Sequence, residues 1–165
     1  MIPEINELIE WLPKNIPSDQ ETTIVHGDFR LDNMIFDPIT HEVKAILDWE
    51  LSTLGNPIAD FTYHMMSWRL PAGAKGLGMM GSDLKSLNIP SENEYAELYY
   101  KKTGREKIDN WDFYMAYNIF RLAGIAQGIV GRVRDGTASS SEAKNYEAFV
   151  PILGKLGWSI VEGIK

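Results

Sequence analysis

The chain has 165 residues, 44% of them hydrophobic and 24% charged, enough for one globular domain with its own core. Its formal charge is −7, and such an acidic surface repels polyanions, which argues against a nucleic-acid partner. It contains no cysteine, so disulfides and thiolate metal sites are excluded, and no apolar run approaches the roughly 18 residues of a membrane span. The start MIPEINELIEWL mixes acids with apolar residues and lacks the basic opening of a secretory leader. These features together predict a cytoplasmic protein with neither nucleic-acid nor membrane partners.

Ile2, Ile5, Leu8, Ile9 and Leu12 recur at helical spacing until Pro13 stops them. The β-branched stretch Thr22 to His26 predicts a short strand. Met34 to Phe36 and Val43 to Leu47 read as two strands joined by a turn at Asp37-Pro38-Ile39-Thr40, hence a hairpin. Asn56 and Pro57 suit the cap and first turn of a helix that carries Asp60, Tyr63, His64 and Trp68. Residues 70–90, rich in glycine and proline, read as a flexible loop with one short helix. Ser91 and Glu94 have capping-box spacing and open a helix that ends near Gly104. A long helix from about Asp109 to Arg134 follows, with Phe113, Tyr117, Phe120, Ala123 and Ile125 as its expected buried face. Ser139 and Glu142 repeat the capping spacing before a last helix, in which Pro151 predicts a kink. A single domain over 1–165 is expected, a small hairpin followed mostly by helix.

The chemistry concentrates in His26-Gly27-Asp28-Phe29-Arg30-Leu31-Asp32-Asn33 and in Leu47-Asp48-Trp49-Glu50. Phosphoryl transfer from a nucleotide needs a carboxylate to orient the attacking hydroxyl and accept its proton, and ligands that hold magnesium on the phosphates. Four residues separate Asp28 from Asn33, as in the kinase catalytic loop H-R-D-x-x-x-x-N, and Asp48 lies at the far end of the hairpin, where the kinase D-F-G aspartate sits. Folding 34–47 back on itself would bring Asn33 and Asp48 together, and an amide oxygen and a carboxylate are hard ligands suited to Mg2+. Taken singly, Asp28 and Asn33 could be ordinary turn residues; the strand-loop-strand setting favours chemistry. His26 reads as a structural residue that fixes the loop, Asp32 as a solvated one, and Asp60 as a helix cap or a hydrogen-bond partner of the loop.

Three other patterns carry less. Gly73-Ala74-Lys75-Gly76-Leu77-Gly78 lacks the Gly-Lys-Ser/Thr ending of a phosphate loop. His41 and His64 have no H-x-H or H-E-x-x-H spacing. Arg132 and Arg134 suit the C-terminal end of a helix dipole.

HGDFRLDNMIFD, LDWELSTLGNPIADFTY and FRLAGIAQGI together resemble the C-terminal lobe of the aminoglycoside phosphotransferase and choline kinase family, which shares the protein-kinase-like fold. The resemblance is strongest from Val25 to Tyr63 and is nearest to the phosphotransferase domains associated with acyl-CoA dehydrogenases. That family usually has histidine or leucine-type residues after HGD; Phe29-Arg30 is typical of the subset. The resemblance implies an α+β, mostly α fold: a kinase-like C-terminal lobe with a small catalytic hairpin and a helical bundle. It implies ATP or another nucleoside triphosphate as donor, Mg2+ as cofactor, Asp28 as catalytic base, Asn33 and Asp48 as metal ligands, and Glu50 as an assisting residue. Arg121 and Gln127 would contact a small hydroxylated substrate, a hydroxyacyl compound or an aminoglycoside-like molecule. Only one helix and one strand precede His26, and Lys14 is the only lysine upstream. The phosphate-covering N-terminal lobe is therefore expected to be absent, with the chain inactive without it. The alternative is a non-catalytic module that self-associates as a homo-oligomer or pairs with a separate N-lobe chain.

Overall fold

A computed structural model describes residues 2–18, 21–72, 78–137 and 145–164. The fold is mostly helical, with two small antiparallel sheets. The chain groups into two compact units, one formed by Met1–Asp19 with Asp112–Lys165 and the other by Gln20–Trp111.

The first unit contains α1 (Pro3–Trp11), nearly all of α4 (Trp111–Arg134) and α5 (Tyr146–Ile164). Pro3 occupies the first turn of α1, where its missing N–H costs no bond. A 3-10 turn, Leu12–Lys14, ends the segment around Pro13. Helix α5 approaches α1 closely because it carries glycine where they meet. A Cβ on Gly157 would lie 2.9 Å from Cδ1 of Leu8 and 3.3 Å from Cγ2 of Ile119. Leu8, Met115, Ile119, Leu153 and Val161 are fully buried in this core.

The buried side of α4 differs from the expected one. Met115, Ile119, Leu122, Ala126 and Val130 are buried, whereas Tyr117 is 39% and Ile125 45% exposed; Ala123 alone of the expected set is fully inside. The helix is apolar around much of its circumference, so two stripes satisfy the 3.6-residue period and packing chooses between them. Pro151 lies inside α5. The Ser139 and Glu142 capping signal lies outside the described residues.

The second unit holds the strands. β1 (Thr23–Val25) pairs antiparallel with β4 (Thr53–Gly55), and β2 (Met34–Phe36) with β3 (Val43–Ile46). The hairpin β2–β3 was legible in the sequence; β4 was not, because Gly55-Asn56-Pro57 reads as a helix opening. Asn56 does cap α2 (Pro57–Met65), accepting the N–H of Ile58 at 2.8 Å. Trp68 falls just beyond α2, in the 3-10 turn Met66–Trp68. The Ser91 and Glu94 capping box forms as expected and opens α3 (Glu92–Thr103), which Gly104 ends in the left-handed conformation. Rings of α2 and α3 pack this unit: Phe61 stacks on Tyr99 with centroids 3.7 Å apart.

Within 70–90, Pro71 bridges to Met80, and the N–H of Met79 donates to the carbonyl of Ser67 at 2.8 Å. Residues 84–88 form consecutive turns in place of the expected short helix. Of the Gly73–Gly78 pattern, only Gly78 is among the described residues.

Candidate active site

The strand pairing dictates how the motif residues meet. β1 delivers the chain into the loop 26–33, the β2–β3 hairpin returns it at residue 47, and β4 carries it back alongside β1. Both loops therefore leave from and return to one small framework.

His26 is 2% exposed, and both of its ring nitrogens are engaged. Nε2 lies 2.7 Å from the carbonyl of Leu47, and Nδ1 accepts the N–H of Asp28 at 3.2 Å. Since a carbonyl can only accept and an amide N–H only donate, the ring carries its hydrogen on Nε2. It bridges the Asp28 loop to the residue before Asp48. The indole of Trp49 packs on the same ring, with centroids 4.7 Å apart.

Asp60, in the first turn of α2, reaches across to this loop. Its carboxylate accepts the backbone N–H groups of His26 and of Gly27, the latter at 2.9 Å. Gly27 has φ +84°, and a Cβ there would lie 2.4 Å from the carbonyl oxygen of Leu51, so only glycine fits.

Asn33 ends a 3-10 turn, Leu31–Asn33. Its Nδ2 donates to the carbonyl of Asp28 at 2.9 Å and to Oδ2 of Asp28 at 3.0 Å. With the nitrogen so committed, Oδ1 is the atom of this amide left to bind a cation. The N–H of Leu47 donates to the carbonyl of Asn33 at 2.8 Å, which brings Asp48 next to Asn33 although 15 positions separate them in sequence. Asp48 itself has φ 69° and ψ 45°, a left-handed conformation that is sparsely populated by residues with a Cβ.

Oxygen donors from one amide and one carboxylate, with remaining positions left to phosphates and water, match what Mg2+ takes from proteins that bind it through its substrate. Among the described residues no group of three or more His, Cys, Asp or Glu side chains is placed to hold a metal. Glu50 follows in the 3-10 turn Trp49–Leu51 and is exposed.

Arg121 and Gln127 stand on α4, in the other unit. Gln127 lines a mainly apolar hollow of about 610 Å³ with Ile5, Ile9, Phe120, Ala123 and Val150. Two features escaped sequence reasoning. Asp32 is exposed, as expected, and in addition forms an ion pair with Arg30 that its spacing did not announce. His64 sits among rings, with centroid distances of 6.0 Å to Phe29, 5.9 Å to Trp68 and 5.6 Å to Tyr95, and burial pushes its pKa below the ordinary value. The i, i+4 spacing of His64 and Trp68 was the available signal.

The model of the phosphotransferase enzyme family, APH, matches residues 2–98. The chain belongs to this family. A crystal structure of a "putative aminoglycoside phosphotransferase" from Ralstonia eutropha JMP134 superposes with a TM-score of 0.92 at 46% identity, covering 99% of this chain and 50% of that one. Acyl-CoA dehydrogenase family member 10 of Mus musculus is 46% identical over 95% of this chain, which spans 15% of that protein. Acyl-CoA dehydrogenase family member 11 of Homo sapiens is 39% identical over 94% of this chain, which spans 20% of it. The chain thus spans half of that solved chain and between 15% and 20% of these two curated relatives. No helix among the described residues is long and apolar enough to cross a membrane.

Proposed function

We propose that this chain carries the base and the magnesium ligands of a phosphotransferase that moves the terminal phosphoryl group of ATP, or of another nucleoside triphosphate, to a hydroxyl of a small metabolite. The observation that carries the reading is the pair of hydrogen bonds from Asn33 Nδ2 to Asp28. The bond to Oδ2 orients the Asp28 carboxylate through one oxygen and leaves the other for a substrate hydroxyl, and with Nδ2 committed the Asn33 oxygen is the atom that would bind a cation. Asp28 accepts the hydroxyl proton as the new O–P bond forms and the bond to the leaving nucleoside diphosphate breaks. Asn33 and Asp48 would hold Mg2+, whose charge offsets that of the phosphates. His26 and Asp60 fix the loop's backbone, and Glu50 follows Asp48 by two residues, where it would assist the metal or the substrate.

The words acyl-CoA in the names of the curated relatives favour an acyl compound as the acceptor, and transfer to a hydroxyl makes that a hydroxyacyl compound; the name of the solved relative keeps an aminoglycoside-like molecule as the competing class. The test is turnover with Mg-ATP across both acceptor classes, in full-length protein with and without Asp28→Asn. Transfer should disappear in the variant while its circular dichroism is unchanged; undiminished transfer sinks the reading. Calorimetry of the isolated chain with Mg-ATP then tells whether it binds nucleotide by itself.

A second reading, an interaction module that self-associates or pairs with a separate chain, is favoured by the strands. Ile24 and Leu54 are cross-strand partners on β1 and β4, and each is 71% exposed. Sedimentation velocity decides this: a monomer at high concentration argues against self-association.

A further inference from the structure

Helices α1, α4 and α5 border an open hollow of about 610 Å³ that lies wholly within the first unit. Its walls are mainly apolar, with Ile9, Phe120 and Val150 among them, and the amides of Asn6 and Gln127 are its main polar groups. Ile9 belongs to the apolar set of α1 yet is 52% exposed. Helical cores pack without gaps of this size, so the hollow is a core with one element missing. Gly124 also lines it, in the interior of α4, where glycine weakens a helix relative to alanine. The two glycines inside α5 show what such a glycine does in this fold. A Cβ on Gly154 would lie 3.1 Å from Cγ1 of Ile5, and one on Gly157 2.9 Å from Cδ1 of Leu8, so each admits α1 to close contact. A Cβ on Gly124 would meet no atom within 4 Å among the described residues. The same room is made, and no described residue takes it. The apolar walls also select what can enter. A strand or loop laid there would bury N–H and C=O groups that few partners could meet, whereas a helix meets its own. This fold accounts for 50% of the solved relative's chain, so that relative carries as much polypeptide again from which the helix can come.

We propose that the hollow of α1, α4 and α5 receives an apolar helix from the half of such a phosphotransferase that this chain does not span. That half then supplies more than a cover for the phosphates: it completes the core of this unit. The docking makes no use of Asp28, so its test needs no turnover and stands apart from the assignment of the base. The unmatched half of the solved relative is co-expressed with this chain, and a dilution series in sedimentation velocity gives the mass and affinity of the complex. A complex of one copy of each is expected. Gly124→Leu should weaken it roughly ten-fold or more, because the added side chain occupies the space the helix needs. Ile9→Glu should do the same by setting a charge against an apolar face. Neither should alter the circular dichroism of the chain alone, since Ile9 is half exposed and Gly124 borders open space. Gly124→Ala should raise the thermal midpoint of the chain alone, because alanine is the better helix former and its Cβ meets nothing. A glycine required by this chain's own packing would lower it. Failure of the two polypeptides to co-purify, equal affinity in Gly124→Leu and Ile9→Glu, or a lower midpoint in Gly124→Ala overturns the proposal. So does a homodimer of this chain that Gly124→Leu dissolves, which would give the hollow to a second copy.

Discussion

The amide nitrogen of Asn33 donates to both the carbonyl and the carboxylate of Asp28, at 2.9 and 3.0 Å. One side chain thereby sets the position of the other. Asn33→Ala should leave the fold intact, because the side chain is only partly buried. Under the proposed mechanism, turnover should fall on the order of 10²-fold or more, since the base loses its orientation as the metal loses a ligand. The effect of a double variant with Asp28→Asn should be far less than the product of the single effects. Steady-state rates for the three proteins check this.

Asp60 acts on the backbone of the same loop from 33 and 34 residues away in sequence. Removing its carboxylate leaves two part-buried N–H groups without their acceptor. Asp60→Ala should cost on the order of 3 kcal/mol, the scale of losing hydrogen bonds to a charged group. Asp60→Asn, which keeps one acceptor oxygen, should fall between. Urea denaturation midpoints at a constant slope measure both.

Asp48 sets function against backbone comfort. A residue with a Cβ in the left-handed region costs about 1–2 kcal/mol relative to glycine. Asp48→Gly and Asp48→Ala both remove the carboxylate, so both should abolish magnesium-dependent turnover. They should differ in stability, with glycine about 1 kcal/mol better than alanine. Equal thermal midpoints would show that the local backbone carries no strain.

His64 predicts a pH dependence of folding. Burial lowers its pKa in the folded chain below the unfolded value of 6.5. Between those two values the unfolded state binds a proton that the folded state does not, so stability rises with pH there. Its contribution is complete above 6.5 and is lost as pH falls toward the folded value. Replacing His64 with leucine should flatten the difference in urea midpoint between about pH 7.5 and about pH 5. An unchanged difference would place the titration on another group.

The sequence was most informative where local chemistry decides conformation. The Ser91 and Glu94 capping box, Asn56 before Pro57, and the hairpin with its turn at Asp37 all rest on residues within a few positions of one another, and all form. Long-range choices were not legible. Which stripe of α4 is buried depends on Leu8 and Gly157, which belong to other helices. β4 is three residues long and exists because β1 lies beside it. Within the site, the type and spacing of Asp28, Asn33 and Asp48 were visible. The left-handed backbone of Asp48 and the reach of Asp60 were not, since dihedral angles and distant hydrogen bonds leave no local pattern. Arg30 was noticed only as typical of a subset; that its Nε–H meets no acceptor among the described residues depends on burial, which spacing does not encode.

The close approach of Gly27 to the carbonyl of Leu51 has a further consequence. Two loops more than twenty residues apart in sequence share a boundary with no slack, crossed also by the ring of His26. Neither can drift without carrying the other. The spacing between the Asp28 oxygens and those of Asn33 and Asp48 is then a gauge cut into the backbone, kept by the absence of one methyl group. An acceptor or donor of different size would have to be accommodated by the walls around this gauge, while the gauge itself stays constant.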